Sequence, residues 1–133
     1  NKTDTYNKIV ELADWILTQQ CTDPAKKAYG GFKSNETSTT YYSIDSCRAI
    51  PALIKAYKLT ETAAYLDTAK LAGATFLQSM QNPPTLAVHD QYYGGFARAV
   101  TDADIWLPEM DIENLYGLIA LKTLVEEDPA NQH

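Results

Sequence analysis

The densest group of residues able to do chemistry is a cluster of acids in the C-terminal third of the chain. It comprises Asp102, Asp104, Glu109, Asp111 and Glu113. Paired carboxylates carry general acid–base catalysis, for example in glycoside hydrolysis. On a helix Glu109 and Glu113 would share a face because they are four residues apart, whereas Asp111 would lie about 200° from Glu109. A helix alone therefore does not bring the three together in one site.

Asp45 and Asp111 stand at matching places in the chain. Each follows shortly after one of two Tyr-Gly-Gly-Phe stretches, at 29–32 (corner 1) and 93–96 (corner 2), near the expected start of a helix. Two carboxylates that meet at one end of a helix bundle would form a site. The alternative, which the sequence favours, is structural, because the helix dipole stabilises an acid near a helix N-terminus.

Aromatic side chains and a basic residue lie beside the same corners. Tyr42, Tyr93 and Trp106 offer flat apolar surface next to polar groups, the mixed lining of small-ligand clefts. Arg98 is a candidate ion-pair partner of the acids or, as the less favoured alternative, a clamp for a substrate. Because loops on a rigid scaffold carry function more often than helix faces, we expect any site at the end of the bundle where both corners meet the starts of the second and fourth helices.

The composition of the chain and the motifs that it lacks argue against several other kinds of binding site. The net charge of −6 disfavours nucleic acid, since phosphate contacts need clustered Lys and Arg. Cys21 and Cys47 form no C-x-x-C motif, so the common zinc and redox motifs are absent, and free, partly buried thiols are favoured over a disulfide. The sequence contains neither a P-loop nor a dinucleotide-binding glycine motif, and no apolar run long enough to span a bilayer.

We therefore expect no cofactor, no metal ion, no nucleic-acid partner and no membrane contact. There is no signal-peptide pattern. The chain begins at Asn1 without an initiator Met, which is consistent with an excised domain or a processed form, so the compartment stays open.

The spacing of apolar residues predicts four main helices and one long loop. The predicted helices run over about 4–20, 43–59, 60–81 and 108–127. Asp4 is the expected N-cap of the first, Pro51 either kinks the second or delays its start, and Pro108 suits the first turn of the fourth. The loop covers about 83–107. The fourth helix is apolar around nearly its whole circumference, which predicts a central position covered on several sides.

The same order of elements occurs twice. The spacing between matching residues changes only slightly along the chain. It is 61 residues from Gln20 to Gln81, 64 from Phe32 to Phe96 and 66 from Asp45 to Asp111. Self-similarity at a nearly fixed period marks a repeated supersecondary unit, and adjacent glycines permit positive φ and close backbone approach. The sequence therefore predicts a single all-α domain over 1–133 built from two αα-hairpins, repeat 1 at about 4–59 and repeat 2 at about 60–127.

The pattern resembles the repeats of α/α-toroid proteins, such as terpenoid cyclases, protein prenyltransferase β subunits and α/α-barrel proteins that act on polysaccharides. The stretches that carry the resemblance are "ADWILTQQ" at 13–20 with "YGGF" at 29–32, and "ATFLQSMQ" at 74–81 with "YGGF" at 93–96. It implies that the helix after each corner is an inner helix whose start points toward a central cavity. The chain has fewer hairpins than a complete toroid, and it lacks the Asp-rich motif and the zinc ligands of those enzymes, so the resemblance implies architecture alone.

Three functions remain as hypotheses, and whether the chain is an enzyme stays open. The first is a carbohydrate-associated module that binds glycan or supports a larger glycan-active assembly, because aromatic faces stack on sugars and carboxylates bond hydroxyl groups. The alternative is a structural or assembly domain of a larger extracellular or viral structural protein. Its uncovered hairpin faces, roughly several hundred Å² of apolar surface, would then be buried by another copy or by flanking hairpins. The third is a small polysaccharide lyase or hydrolase.

Overall fold

Four helices and a small sheet form the part of the chain that the computed structural model describes, which is residues 1–81, 95–110 and 114–127. Helix α1 is Lys2–Thr18, strand β1 is Thr40–Tyr42 and helix α2 is Ser43–Thr60. Helix α3 consists of Ala63–Leu71, a π-helical segment Ala72–Leu77 and a last turn Gln78–Met80. Strands β2, Ala97–Thr101, and β3, Trp106–Met110, precede helix α4, Asn114–Glu127. The molecule is thus mostly helical, as expected, with a three-stranded sheet in addition. None of these helices is long and apolar enough to cross a bilayer.

The first helix begins earlier than its sequence pattern predicts. Asn1 is the N-cap, and its side chain accepts a hydrogen bond of 3.0 Å from the backbone N–H of Asp4. The Asp4 carboxylate in turn accepts a bond from the amino group of Asn1, which completes a capping box. The prediction that Asp4 is the N-cap is therefore wrong, because this acid occupies the third helical position.

Helix α2 confirms its predicted span within one residue and lies at the centre of the core. It begins at Ser43, so Pro51 does not delay its start and lies inside the helix. Ile50, Leu53 and Ile54 are completely or almost completely buried, and α2 packs against α1, α3 and α4. The apolar residues that recur at three- and four-residue steps along α3 are also buried throughout: Tyr65, Ala69, Ala72, Phe76 and Met80.

The segment around Pro108 is a strand, so the prediction that the fourth helix starts there is wrong. Strand β2 pairs antiparallel with both β1 and β3, and the strand order is β1-β2-β3. Trp106 pairs with Val100 and Leu107 with Ala99, and the register then shifts before Met110. Proline has no N–H to give to a ladder, but an edge strand with a bulge tolerates it.

Helix α4 does not occupy the predicted central position. Its main contacts are with α2 and with the π-helical segment of α3, on the side of Gly117, Ala120 and Leu124. Leu115 and Leu118 on the other side are each 64% exposed. The helix is apolar all round, yet the described residues cover only one side of it, and α2 takes the central place instead.

Both corners return to the end of the preceding helix through the same kind of contact. Gln20 forms an isolated antiparallel bridge with Phe32, and Gln81 forms one with Phe96. Phe32 is buried, and Phe96 is half-buried with its ring against Gly117. The matched pairs of glutamine and phenylalanine therefore occupy equivalent backbone positions in the two halves.

The two glycines of corner 1 permit α3 to pack directly on it. Gly30 has a φ of 86°, and a Cβ there would lie 2.8 Å from the carbonyl oxygen of Leu71. A Cβ on Gly31 would lie 2.7 Å from the ring of Phe76. The side-chain amide of Gln20 donates to the carbonyls of Gly30 and Thr68, each at 3.0 Å, and so joins α1, the corner and α3.

Candidate functional site

A cleft of about 230 Å³ opens where α1, corner 1 and the start of α2 meet. The side chains in its lining that can do chemistry or stack on a ligand are Trp15, Gln19, Phe32, Lys33, Asp45 and Arg48. Helix α1 and its C-cap supply the first two, the last residue of corner 1 and the residue after it supply the next two, and the first turns of α2 supply the last two. The cleft lies beside corner 1, and the expected meeting of both corners at one site stays a prediction.

Trp15 forms the aromatic rim of the cleft. Its side chain is 41% exposed, and its indole N–H donates a hydrogen bond of 2.9 Å to Oε1 of Glu36. This bond lowers the pKa of Glu36 below its ordinary value, so Glu36 stays ionised and continues to accept the bond. The indole is thereby held in one orientation while part of its surface faces solvent.

Asp45 and Arg48 place opposite charges one helical turn apart on the wall of the cleft. Asp45 lies in the first turn of α2, where the helix dipole favours an ionised carboxylate. Arg48 follows three residues later, and its guanidinium lies 5.7 Å from the centroid of the Tyr116 ring on α4. A ligand in the cleft would meet an anionic acceptor and a planar cationic donor together, whereas the Gln19 side chain behind them is buried and its amide donates to the Thr18 hydroxyl at 2.9 Å.

Lys33 connects the cleft to the sheet. Its ammonium group forms a 3.1 Å ion pair with Asp102 and lies 5.2 Å from the centroid of the Tyr41 ring. Tyr41 is buried, and this burial raises the pKa of its hydroxyl above the ordinary value; the nearby Cys21 and Asp102 act in the same direction. Tyr41 therefore stays neutral, and its role here is to pack.

Two of the five clustered acids hold loops together. The Lys26 ammonium donates to the carbonyl of Asp102 at 3.0 Å, and the Lys27 backbone N–H donates to Oδ1 of Asp104 at 3.0 Å. The segment before corner 1 is thereby joined to the turn between β2 and β3. We assign Asp102 and Asp104 a structural role on these contacts.

Tyr42, Arg98 and Trp106, which were also singled out from the sequence, are not among the described residues that line the cleft. The guanidinium of Arg98 lies 5.8 Å from the centroid of the Tyr42 ring, and Trp106 lies 5.8 Å from the ammonium of Lys27. Glu109 is in β3, where only the backbone is described. Tyr93, Asp111 and Glu113 fall outside the described residues. The predicted meeting of Asp45 with Asp111 therefore stays a prediction.

Sequence reasoning missed Trp15, and one signal could have found it. The apolar stripe of α1 runs through Ile9, Ala13 and Ile16, and Trp15 lies off that stripe, on the more polar side of the helix. A large aromatic residue in such a position stays partly exposed and offers a flat apolar surface with a polar N–H at its edge.

Comparison of the two repeats shows where some of the polar side chains of the cleft come from. Gln19 and Met80 each directly precede the bridged glutamine of their repeat, and Lys33 and Ala97 each directly follow the bridged phenylalanine. Met80 and Ala97 are buried in the core. Polar side chains thus occupy positions in repeat 1 where repeat 2 has apolar ones.

The described residues contain no group of three or more His, Cys, Asp or Glu side chains that could hold a metal ion. Cys21 and Cys47 are both buried and form no disulfide. In comparisons with known proteins, no family model matches the chain, and neither a curated protein nor a solved structure matches it.

Proposed function

We propose that the chain is a carbohydrate-associated module that binds an oligosaccharide in the cleft of repeat 1. The exposed indole of Trp15 beside Asp45 and Arg48 is the observation that carries the proposal. A sugar ring has apolar C–H faces that pack on an aromatic ring, and it has hydroxyl groups that both donate and accept hydrogen bonds. Asp45 accepts from hydroxyl groups, and Arg48 donates to them.

The size and charge of the cleft limit the ligand. Its volume of about 230 Å³ is below the roughly 300–1,000 Å³ of drug-sized pockets, so it suits one or two sugar units at the end of a chain or at a branch. The cations Lys33 and Arg48 offset Asp45 locally, but the chain as a whole carries −6. That net charge opposes polyanionic glycans, and we therefore expect neutral sugars or sugars with a single uronate.

The number of carboxylates in the described lining of the cleft favours binding over catalysis. Asp45 is the one acid that the described residues contribute to its lining. Glycoside hydrolysis generally uses two carboxyl groups on either side of the scissile bond. The lyase or hydrolase hypothesis would need a second acid, and Asp111 is its candidate from the sequence.

A second function, an assembly module, is favoured by a separate observation. Helix α4 leaves large apolar side chains exposed, among them Leu118. Contiguous apolar surface of this kind marks interaction sites. The α4 side chains concerned are not part of the cleft lining, so sugar binding and assembly are compatible.

Isothermal titration of the full chain with a panel of oligosaccharides tests the carbohydrate proposal. The panel holds neutral hexose and pentose oligomers and uronate-containing oligomers of one to six units. We expect at least one neutral or singly charged member to bind with a Kd between about 10 μM and 1 mM, which corresponds to roughly −7 to −4 kcal/mol. Failure of every member to bind at about 10 mM ligand would remove the carbohydrate assignment.

A further inference from the structure

We propose that the cleft continues into a second pocket, and that the two together bind a linear, neutral oligosaccharide longer than a disaccharide. The second pocket has a volume of about 290 Å³, and its lining consists of Thr18, Gln19, Gln20, Lys33, Glu36 and Tyr41. Gln19 and Lys33 also line the cleft, so the two cavities adjoin at these side chains. This inference rests on the carbohydrate proposal and deepens it, because it sets the length of the ligand and the chemistry of its second half.

Backbone hydrogen bonds hold the boundary between the cleft and the second pocket. The N–H of Lys33 donates to the carbonyl of Gln19 at 3.1 Å. Lys33 also forms an isolated antiparallel bridge with Tyr41, and its neighbour Phe32 forms one with Gln20. These contacts fix four of the six lining residues of the second pocket to one another. A wall that is already ordered lowers the conformational entropy that is lost when a ligand binds.

Each of the two cavities offers one acid and one cation to a ligand. The cleft has Asp45 and Arg48, and the second pocket has Glu36 and Lys33. Carboxylates accept hydrogen bonds and the two cations donate them, whereas a hydroxyl group does both. Two neighbouring sugar units therefore find the same complementary pair of groups, one pair in each cavity.

The charged groups of the second pocket keep capacity to bind hydroxyl groups. The Lys33 ammonium has three N–H donors, and its contacts with the described residues account for one of them, in the 3.1 Å ion pair with Asp102. The Glu36 carboxylate is ionised, because the bond from Trp15 lowers its pKa. An ionised carboxylate has about four acceptor positions, so Glu36 can accept from a ligand while it keeps the bond from the indole.

Trp15 connects the two cavities. Its side chain lines the cleft, and its indole N–H donates to Glu36 of the second pocket at 2.9 Å. A sugar unit that packs on the indole in the cleft therefore lies next to the second pocket. The following unit of a linear chain can enter that pocket and bond to Glu36 and Lys33.

Charge in the second pocket favours neutral sugar units over acidic ones. Lys33 already pairs with Asp102, and Glu36 adds a further negative charge. A uronate in this pocket would meet two acids and one cation, which is a net repulsion. If the ligand carries a single uronate, that unit belongs in the cleft, beside Arg48.

The length of the oligosaccharide tests the second pocket separately from the carbohydrate proposal. Gluco-, manno- and xylo-oligosaccharides, from mono- to hexasaccharides, are titrated into the full chain by isothermal calorimetry. In at least one series the affinity should rise about tenfold from the disaccharide to the tetrasaccharide and then change little. Oligogalacturonates should show no such rise. Equal affinity for disaccharide and tetrasaccharide, with binding that Trp15→Ala weakens, would overturn the second pocket and leave the cleft as a sugar site. If no oligomer binds, both proposals fail.

Two variants test whether the gain in affinity comes from the second pocket. The readout is the ratio of the affinities for tetrasaccharide and disaccharide within one variant, so that an effect on the cleft itself cancels. Glu36→Gln can still accept the bond from Trp15 but loses the charge, and the ratio should fall about threefold. Thr18→Tyr places a large ring at the exposed end of α1, beside the second pocket and outside the cleft lining, and should bring the ratio close to unity.

Glu11→Gln is the matched control, because it makes the same change on α1 outside both cavities and should leave the ratio as it is. A ratio that stays at its original value in both Glu36→Gln and Thr18→Tyr would show that the additional units bind elsewhere, and the inference would be wrong. An equal fall in Glu11→Gln would also contradict it. Unchanged circular dichroism shows that each variant is folded.

Discussion

Replacement of Gly31 by alanine should lower the free energy of unfolding by about 3 kcal/mol. The added methyl group would lie 2.7 Å from the ring of Phe76, which is completely buried and has no room to withdraw. Forcing an extra methyl group into a well-packed core costs roughly 1–3 kcal/mol, and we expect the upper end because an aromatic ring gives way less easily than an aliphatic chain. Urea unfolding monitored by circular dichroism measures the loss.

A double-mutant cycle ties that loss to the contact between the repeats. Phe76→Leu alone should cost more than about 1 kcal/mol through lost packing. In the double variant the smaller side chain makes room for the new methyl group. The loss in the free energy of unfolding should therefore be at least about 1 kcal/mol smaller than the sum of the losses in the two single variants. Additive losses, or a loss below about 1 kcal/mol in Gly31→Ala, would contradict direct packing of α3 on corner 1.

Truncation of Trp15 to alanine should weaken oligosaccharide binding at least tenfold, or about 1.4 kcal/mol. The ring supplies the aromatic surface of the cleft, and because the side chain is 41% exposed its removal should reduce stability by less than about 1 kcal/mol. Trp15→Phe keeps a stacking surface but loses the bond to Glu36. Its affinity for the oligosaccharide should therefore lie between that of the unmodified chain and that of Trp15→Ala. Leu12→Ala, on the same helix but outside the cleft, is the matched control.

Asp45→Asn removes the negative charge of this side chain and keeps its shape, so it tests the role of the charge in ligand binding. The amide keeps the size of the carboxylate but donates on one side, so a hydroxyl donor of the ligand loses its anionic acceptor and affinity should fall about tenfold. If Trp15→Ala or Asp45→Asn instead lowers the free energy of unfolding by more than about 2 kcal/mol with unchanged affinity, these residues are structural and the site assignment fails.

The sequence allows the helices to be predicted where local pattern and tertiary packing agree. The stripe through Cys47, Ile50 and Leu53 predicts α2 because those residues face the core in the fold. The same reasoning fails near Pro108, since its preference for a first helical turn is local, whereas the pairing of β3 with β2 depends on residues that come together only in the folded chain. The three-residue strand β1 is too short to show a period of its own.

The site is predictable only in part, for a related reason. Asp45 stands out because its place after corner 1 can be read from the repeat, and it does line the cleft. Arg48 lies one turn from Asp45 on α2, and Trp15 joins them through the packing of α1 on α2, which brings together residues 30 or more positions apart in the sequence. The position of Trp106 near corner 2 in the sequence makes it a candidate ligand contact. In the fold its ring lies beside Lys27, and it is not among the described residues that line the cleft.

The two tryptophans provide the most direct test of where a sugar binds. The chain contains only Trp15 and Trp106, so a ¹H–¹⁵N spectrum of the full chain has two indole N–H signals, and Trp15→Phe assigns them. Titration with the best-binding oligosaccharide should shift the Trp15 signal, whose N–H is bonded to Glu36 at the rim of the cleft, and leave the Trp106 signal in place. A shift of Trp106 alone, or of neither signal at saturating ligand, would contradict a carbohydrate site in repeat 1.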